Sequence, residues 1–182
     1  MKWRRLWLLP LMYLLMVGEV QAQEFKTTEG EVRFLSQASL NEFTGKSDQL
    51  HGLLDPEKNL VDFYVDLNTL KTGIGLRDRH MRDNYLETEK YPFAEFTGKM
   101  QGAVSFEVNQ TQKVKAMGVF KIHGKERYLE VDGSLTPLGP NEILLEANFE
   151  VKLGDFDIAI PQVMFYELSE TQQVKIKAKL KK

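Results

Sequence analysis

Seven consecutive residues, Arg77 to Asp83, comprise three arginines, two aspartates, one histidine and a single methionine. Arginine forks match phosphate oxygens, so Arg77, Arg79 and Arg82 are candidates for gripping an anionic headgroup. Asp78 and Asp83 stand among them and compete for the same donors. The pairs Asp78/Arg82 and Arg79/Asp83 are four residues apart, which on a helix places partners on one face and adds about 0.3 kcal/mol each. A solvated, ion-paired helix face and a structural role for Arg77-Asp78, pinning this segment to its surroundings, are the competing readings. Leu76, Met81 and Leu86 give the helix a narrow apolar side, and Tyr91-Pro92 stops it, because proline cannot continue a helix and extends the residue before it. The sequence therefore predicts a short helical insert near 75–87.

The remaining chemistry is sparse. His51, His80 and His123 are widely separated and lack metal-ligand spacing. No serine occupies a nucleophile elbow, and no glycine-rich loop could cradle phosphate. Glu29/Glu31 and Asp155/Asp157 alternate as surface carboxylates do. No metal, cofactor or catalytic residue is expected, and the chain is not expected to be an enzyme. An enzymatic reading would need His80 and a carboxylate facing a common cavity.

Around the insert, the chain reads as strands. Val61, Phe63, Val65 and Leu67 alternate with polar or amphipathic neighbours; so do Val114 to Ile122, Leu129 to Leu135, Ile143 to Leu153 and Val174 to Leu180. Further strands are predicted at 31–37, 43–54 and 93–100. Asp55 to Asn59 and His123-Gly124-Lys125 read as turns, and Pro137-Leu138-Gly139-Pro140 as a break. About eight strands with one apolar and one wet face make an all-β antiparallel sheet. Closure into a barrel removes its edges, although a two-sheet sandwich obeys the same alternation.

Length and composition bound the partners. The chain has 182 residues and no cysteine, which suits one domain with neither disulfides nor thiol chemistry. Lys2, Arg4 and Arg5, the apolar run Leu6 to Val17, and Val20-Gln21-Ala22 have the form of an export signal over residues 1–22. The run is short for a membrane span. Removing it takes the 24 basic and 26 acidic side chains down by three and one, to 21 and 25, a net of −4. Such a chain has no general attraction to nucleic acid. The expected product is residues 23–182, secreted, in a periplasm, without a stable membrane span. A homodimer is allowed, but no interface is specified.

One resemblance joins these observations. Thr72, Arg77-Asp78, His80-Met81, Tyr85-Leu86, Tyr91-Pro92 and Phe96 resemble the signature of the YceI-like family, as does the step Asp155, Phe156, Ile158, Pro161. The chain departs from that signature at Asp83 to Glu87, where family members often carry an acidic Asp-Phe-Phe-Asp stretch. The resemblance implies a single antiparallel lipocalin-like β-barrel, usually exported, with a polyisoprenoid or other lipid tail inside some members.

Small inward positions, Ala116, Gly118, Gly133, Ala147 and Ala178, leave volume in such a barrel. Phe63, Val65, Phe96, Met100, Phe120, Leu145, Phe149 and, from an irregular apolar segment, Met164 are the expected lining beside Ala116 and Ala147. About ten buried methylenes would contribute roughly 8 kcal/mol. The expected function is to carry or sequester a long apolar lipid, isoprenoid or quinone-like. The alternative is a filled barrel, its small residues fitted to large ones, acting as an envelope stress-related interaction module without ligand.

Overall fold

The computed structural model describes residues 24–39, 41–160 and 168–182. The expected export signal and the expected lining residue Met164 lie outside them, as does Pro161.

Eight antiparallel strands follow one another around a closed barrel: β1 (Phe25–Gln37), β2 (Glu42–Asp55), β3 (Leu60–Asp66), β4 (Phe93–Gln101), β5 (Gln112–Ile122), β6 (Lys125–Gly139), β7 (Glu142–Lys152) and β8 (Thr171–Lys181). Closure falls on β1, whose Val32 pairs with Ser47 of β2 on one side and Ile176 of β8 on the other. Every strand thus keeps its ladder partners on both sides, and alternation sends one side-chain set inward.

Tight hairpins carry the register. His123 and Gly124 connect β5 to β6 with φ of 53° and 70°, the double left-handed geometry that fits strand twist across a two-residue turn. At the opposite end, Asp55 organises the β2–β3 turn. Its carboxylate is fully buried and accepts from the backbone N–H groups of Glu57 and Lys58 and from Lys58 Nζ at 2.7 Å.

β6 runs through Pro137 instead of stopping before it. β5 ends its pairing with β6 at Gln112↔Leu135, so beyond Leu135 that side of β6 asks for no ladder N–H, and proline is tolerated. The Pro137 carbonyl still accepts from the Asn109 N–H at 2.8 Å, and Pro137 remains opposite Ile143 of β7.

The core has two parts. Phe25, Leu54, Leu135, Ile143 and Leu180 are almost wholly buried and close one end of the barrel, with Val61 and Met100 above them. A second cluster gathers at the other end, where Leu67, Leu70, Met81 and Leu86 from the β3–β4 connection meet Phe120, Leu153, Phe156 and Ile158.

The Lys58 ammonium, followed by the turn's N–H groups, holds the Asp55 carboxyl below its ordinary value. A carboxylate favoured by folding contributes stability above its unfolded value of ~3.9 and loses that contribution as pH falls through the lower folded value. Thermal melts are therefore expected to show stability declining below about pH 4. Asp55→Asn should be less stable at neutral pH and lose less on acidification; parallel pH profiles for the two proteins would contradict this role.

Candidate functional site: an apolar cavity under a helical insert

Between the two clusters the barrel holds a cavity of about 600 Å³. Nine of the expected lining residues are on its wall: Phe63, Val65, Phe96, Met100, Ala116, Phe120, Leu145, Ala147 and Phe149. They alternate on β3, β4, β5 and β7, so a single periodicity brings all nine to one surface. Phe120 meets Phe149 edge to face at 5.6 Å and Phe156 at 5.5 Å. Phe120 and Phe149 line the cavity without closing it, so the barrel is not filled as the alternative reading requires.

Small residues divide between two uses. Ala116, Gly133 and Ala147 line the cavity. Gly118 and Ala178 do not, which corrects their assignment as sources of volume. A Cβ on Gly118 would stand 2.3 Å from the Thr97 carbonyl oxygen, and one on Gly98, directly opposite, 2.6 Å from that of Met117. This glycine pair permits close approach of β4 and β5. Ala178 packs where β1 bulges at Gly30, whose added Cβ would lie 3.0 Å from it.

The insert forms the mouth. A 3₁₀ turn, Leu67–Thr69, leads to α1 (Gly75–His80), which widens into a π-helical turn, Met81–Tyr85. Two backbone hydrogen bonds between Lys46 and Lys71, 2.8 Å each, fasten its start to β2. Its end is fastened through Glu87, whose carboxylate lies 2.7 Å from His123 Nε2, while His123 Nδ1 donates to the Phe156 carbonyl at 3.0 Å. Tyr91 packs on the His123 ring at 5.0 Å.

Within the insert, Asp78 is turned inward and is 6% exposed. Its carboxylate accepts from the Thr72 N–H at 2.7 Å and the Thr72 hydroxyl at 2.5 Å. Arg77 donates from Nε to the same hydroxyl at 3.0 Å and from Nη2 to the Thr72 carbonyl at 3.1 Å, with its guanidinium 4.2 Å above the Phe43 ring. Burial pushes the Asp78 carboxyl up, but the two Thr72 bonds, with the nearby charges of Lys71 and Arg82, outweigh it and hold the group below its ordinary value.

These contacts correct the expected ion-paired face. Neither Asp78/Arg82 nor Arg79/Asp83 forms an ion pair among the described residues. The α-helix spans only six residues before widening, and Asp78 is committed to Thr72, so the four-residue spacing no longer stacks partners. Of the three arginines offered for a headgroup, Arg77 lines the cavity and Arg79 and Arg82 do not. Leu76 is also displaced from the expected buried side: Ile74 and Leu76, each 53% exposed, stand at the mouth while Met81 and Leu86 turn inward.

Several wall residues escaped the sequence reading. Val32, Phe34, Leu70, Tyr85 and Gln172 all line the cavity. Leu35 beside Phe34 puts apolar residues on both faces of β1 and blurs which of them turn inward, and a polar residue gave no apolar signal at position 172. His80 is exposed at the mouth, and among the described residues no three His, Asp or Glu side chains converge as metal ligands do.

A closed eight-stranded barrel with an apolar cavity beneath a helical insert is a lipocalin-like architecture. The chain belongs to the YceI-like domain family, whose sequence profile matches residues 19–181. Similar solved structures include a polyisoprenoid binding domain from Saccharophagus degradans: TM-score 0.75, 18% identity, covering 88% of this chain and 99% of that one. Another is Burkholderia cenocepacia BcnA, with TM-score 0.69, 14% identity and coverage of 84% and 96%. A third is the Campylobacter jejuni YceI protein, with TM-score 0.60, 18% identity and coverage of 80% and 86%. No curated protein sequence matches the chain.

The Thr72–Asp78 pair should hold the insert more than the barrel. In Asp78→Ala, two partly buried donors lose their acceptor at a cost of about 1 kcal/mol. Hydrogen exchange should accelerate across residues 70–90 while β5 to β8 keep their protection. Unchanged exchange in the insert would contradict the assignment.

Proposed function

We propose that this protein binds a long apolar lipid, an isoprenoid or quinone-like molecule, inside the barrel and carries or sequesters it. The observation that carries the reading is the cavity: about 600 Å³, walled mostly by aliphatic and aromatic side chains, within the size range of dedicated ligand sites. The architecture agrees with it. One end is plugged by the protein's own side chains, and the other is rimmed by exposed Ile74 and Leu76. The polyisoprenoid-binding description of the Saccharophagus degradans structure also supports it.

The mechanism is transfer without a chemical step. An apolar tail leaves water or membrane and enters a space whose walls compete for no hydrogen bonds along most of their length, gaining about 0.8 kcal/mol per methylene. The protein is proposed to act without enzymatic activity, after export, in the periplasm. Among the described residues no helix is long and apolar enough to cross a membrane.

Native mass spectrometry of protein incubated with a prenyl lipid should show a one-to-one complex. Ala116→Phe and Ala147→Phe place rings in the cavity and should weaken uptake at least tenfold, about 1.4 kcal/mol or more, with the barrel's circular dichroism unchanged. Undiminished uptake by both folded variants, or no uptake by the parent protein, would overturn the proposal.

A further inference from the structure

Gln172 is 6% exposed and lines the cavity from the start of β8. Its Nε2 donates to the Ser169 carbonyl at 2.6 Å and to Ser36 Oγ at 3.4 Å. A backbone carbonyl can only accept, so the amide nitrogen must face Ser169, and the amide's orientation follows from chemistry. The frame around it is built. Ser36 is fully buried, and its Oγ also accepts from the Ser169 N–H at 3.1 Å. Ser169 Oγ in turn donates to the Thr171 carbonyl at 2.7 Å.

That frame commits the nitrogen and leaves the oxygen. Gln172 Oε1 is buried, and no donor among the described residues reaches it. Buried acceptors are nearly always paired, because an unpaired one forfeits its hydration without compensation. Here the unpaired acceptor belongs to a polar residue on the wall of a predominantly apolar cavity.

We propose that Gln172 is the polar anchor of the cavity, and that the bound molecule is a long apolar chain bearing a neutral hydrogen-bond donor that engages Oε1. This rests on the lipid-holding reading above and specifies its ligand. The donor is the O–H of an alcohol or phenol, or an amide N–H. Oε1 has no proton to give, so it discriminates against groups that only accept. An ether, a quinone carbonyl or a fully ionised phosphate turns lone pairs toward another lone pair. A prenyl alcohol or a hydroquinone completes the bond. Arg77, at the mouth, is already committed to Thr72 and Phe43.

The test compares farnesol with farnesyl methyl ether by titration calorimetry, since the two share one tail and differ only in the donor. The ether's extra methyl favours it in a featureless oily cavity. With the anchor, farnesol is expected to bind roughly three- to tenfold more tightly, the value of one hydrogen bond. In Gln172→Met, which keeps the length of the side chain and supplies only a weak acceptor, the two should bind within about twofold of each other. Equal affinities in the parent protein would overturn the anchor while leaving the lipid-holding reading intact. A farnesol preference that survives in Gln172→Met would also overturn it. Binding of neither compound would overturn both readings. Should Gln172→Met fail to fold, the parent comparison decides alone.

Discussion

The inner face of the barrel is unevenly filled, and the cavity follows from that distribution. Closing eight strands fixes the circumference, and with it the space the inward side chains must share. At one end Phe25, Leu54, Leu135, Ile143 and Leu180 supply enough volume to meet across the axis. Midway along the strands, Ala116, Gly133 and Ala147 stand where larger residues would be needed to close the gap. The backbone cannot collapse onto that gap without breaking ladders that join each strand to the next around the closed barrel. A rigid, fully paired sheet therefore keeps open a space that a looser core would lose.

The insert shows how a charged sequence becomes a cover for an apolar space. One charge is internalised and one is held at the rim: Asp78 is spent on Thr72, and Arg77 lies between Thr72 and the ring of Phe43. These bonds orient the insert so that Met81 and Leu86 face inward and Ile74 and Leu76 remain exposed at the mouth. Thr72, Arg77, Asp78, Met81 and Leu86, which belong to the family signature, therefore build the cover. A second fastening, from Glu87 through His123 to the Phe156 carbonyl, ties the end of the insert to the β5–β6 hairpin and the turn after β7.

Much of this was legible in the sequence because strand periodicity is simple. Alternation located six of the eight strands closely, all but β1 and β6, and it placed Phe63, Phe96, Phe120, Leu145 and Phe149 on one face. Where alternation was interrupted, the reading weakened. Gly30 lies in a bulge that shifts the β1–β2 register, so the chain N-terminal to residue 31 was not recognised as strand. Pro137 read as a break because its neighbour on the β5 side, which asks nothing of its nitrogen, is set by register and not by local composition. The spacing of Asp78 and Arg82 suggested a surface pair, whereas tertiary burial gave Asp78 a nearer and better-matched partner in Thr72. Gln172 carried no signal at all, since its importance lies in which of its two polar atoms the surrounding serines leave unpaired.

The central claim is that the barrel encloses a dry apolar space able to accept a chain from its open end. A titration series of straight-chain alcohols of increasing length tests it most directly. The account expects the dissociation constant to fall about fourfold with each added methylene, the equivalent of ~0.8 kcal/mol, until the tail fills the cavity and the gain levels off. An affinity that does not depend on chain length would contradict it.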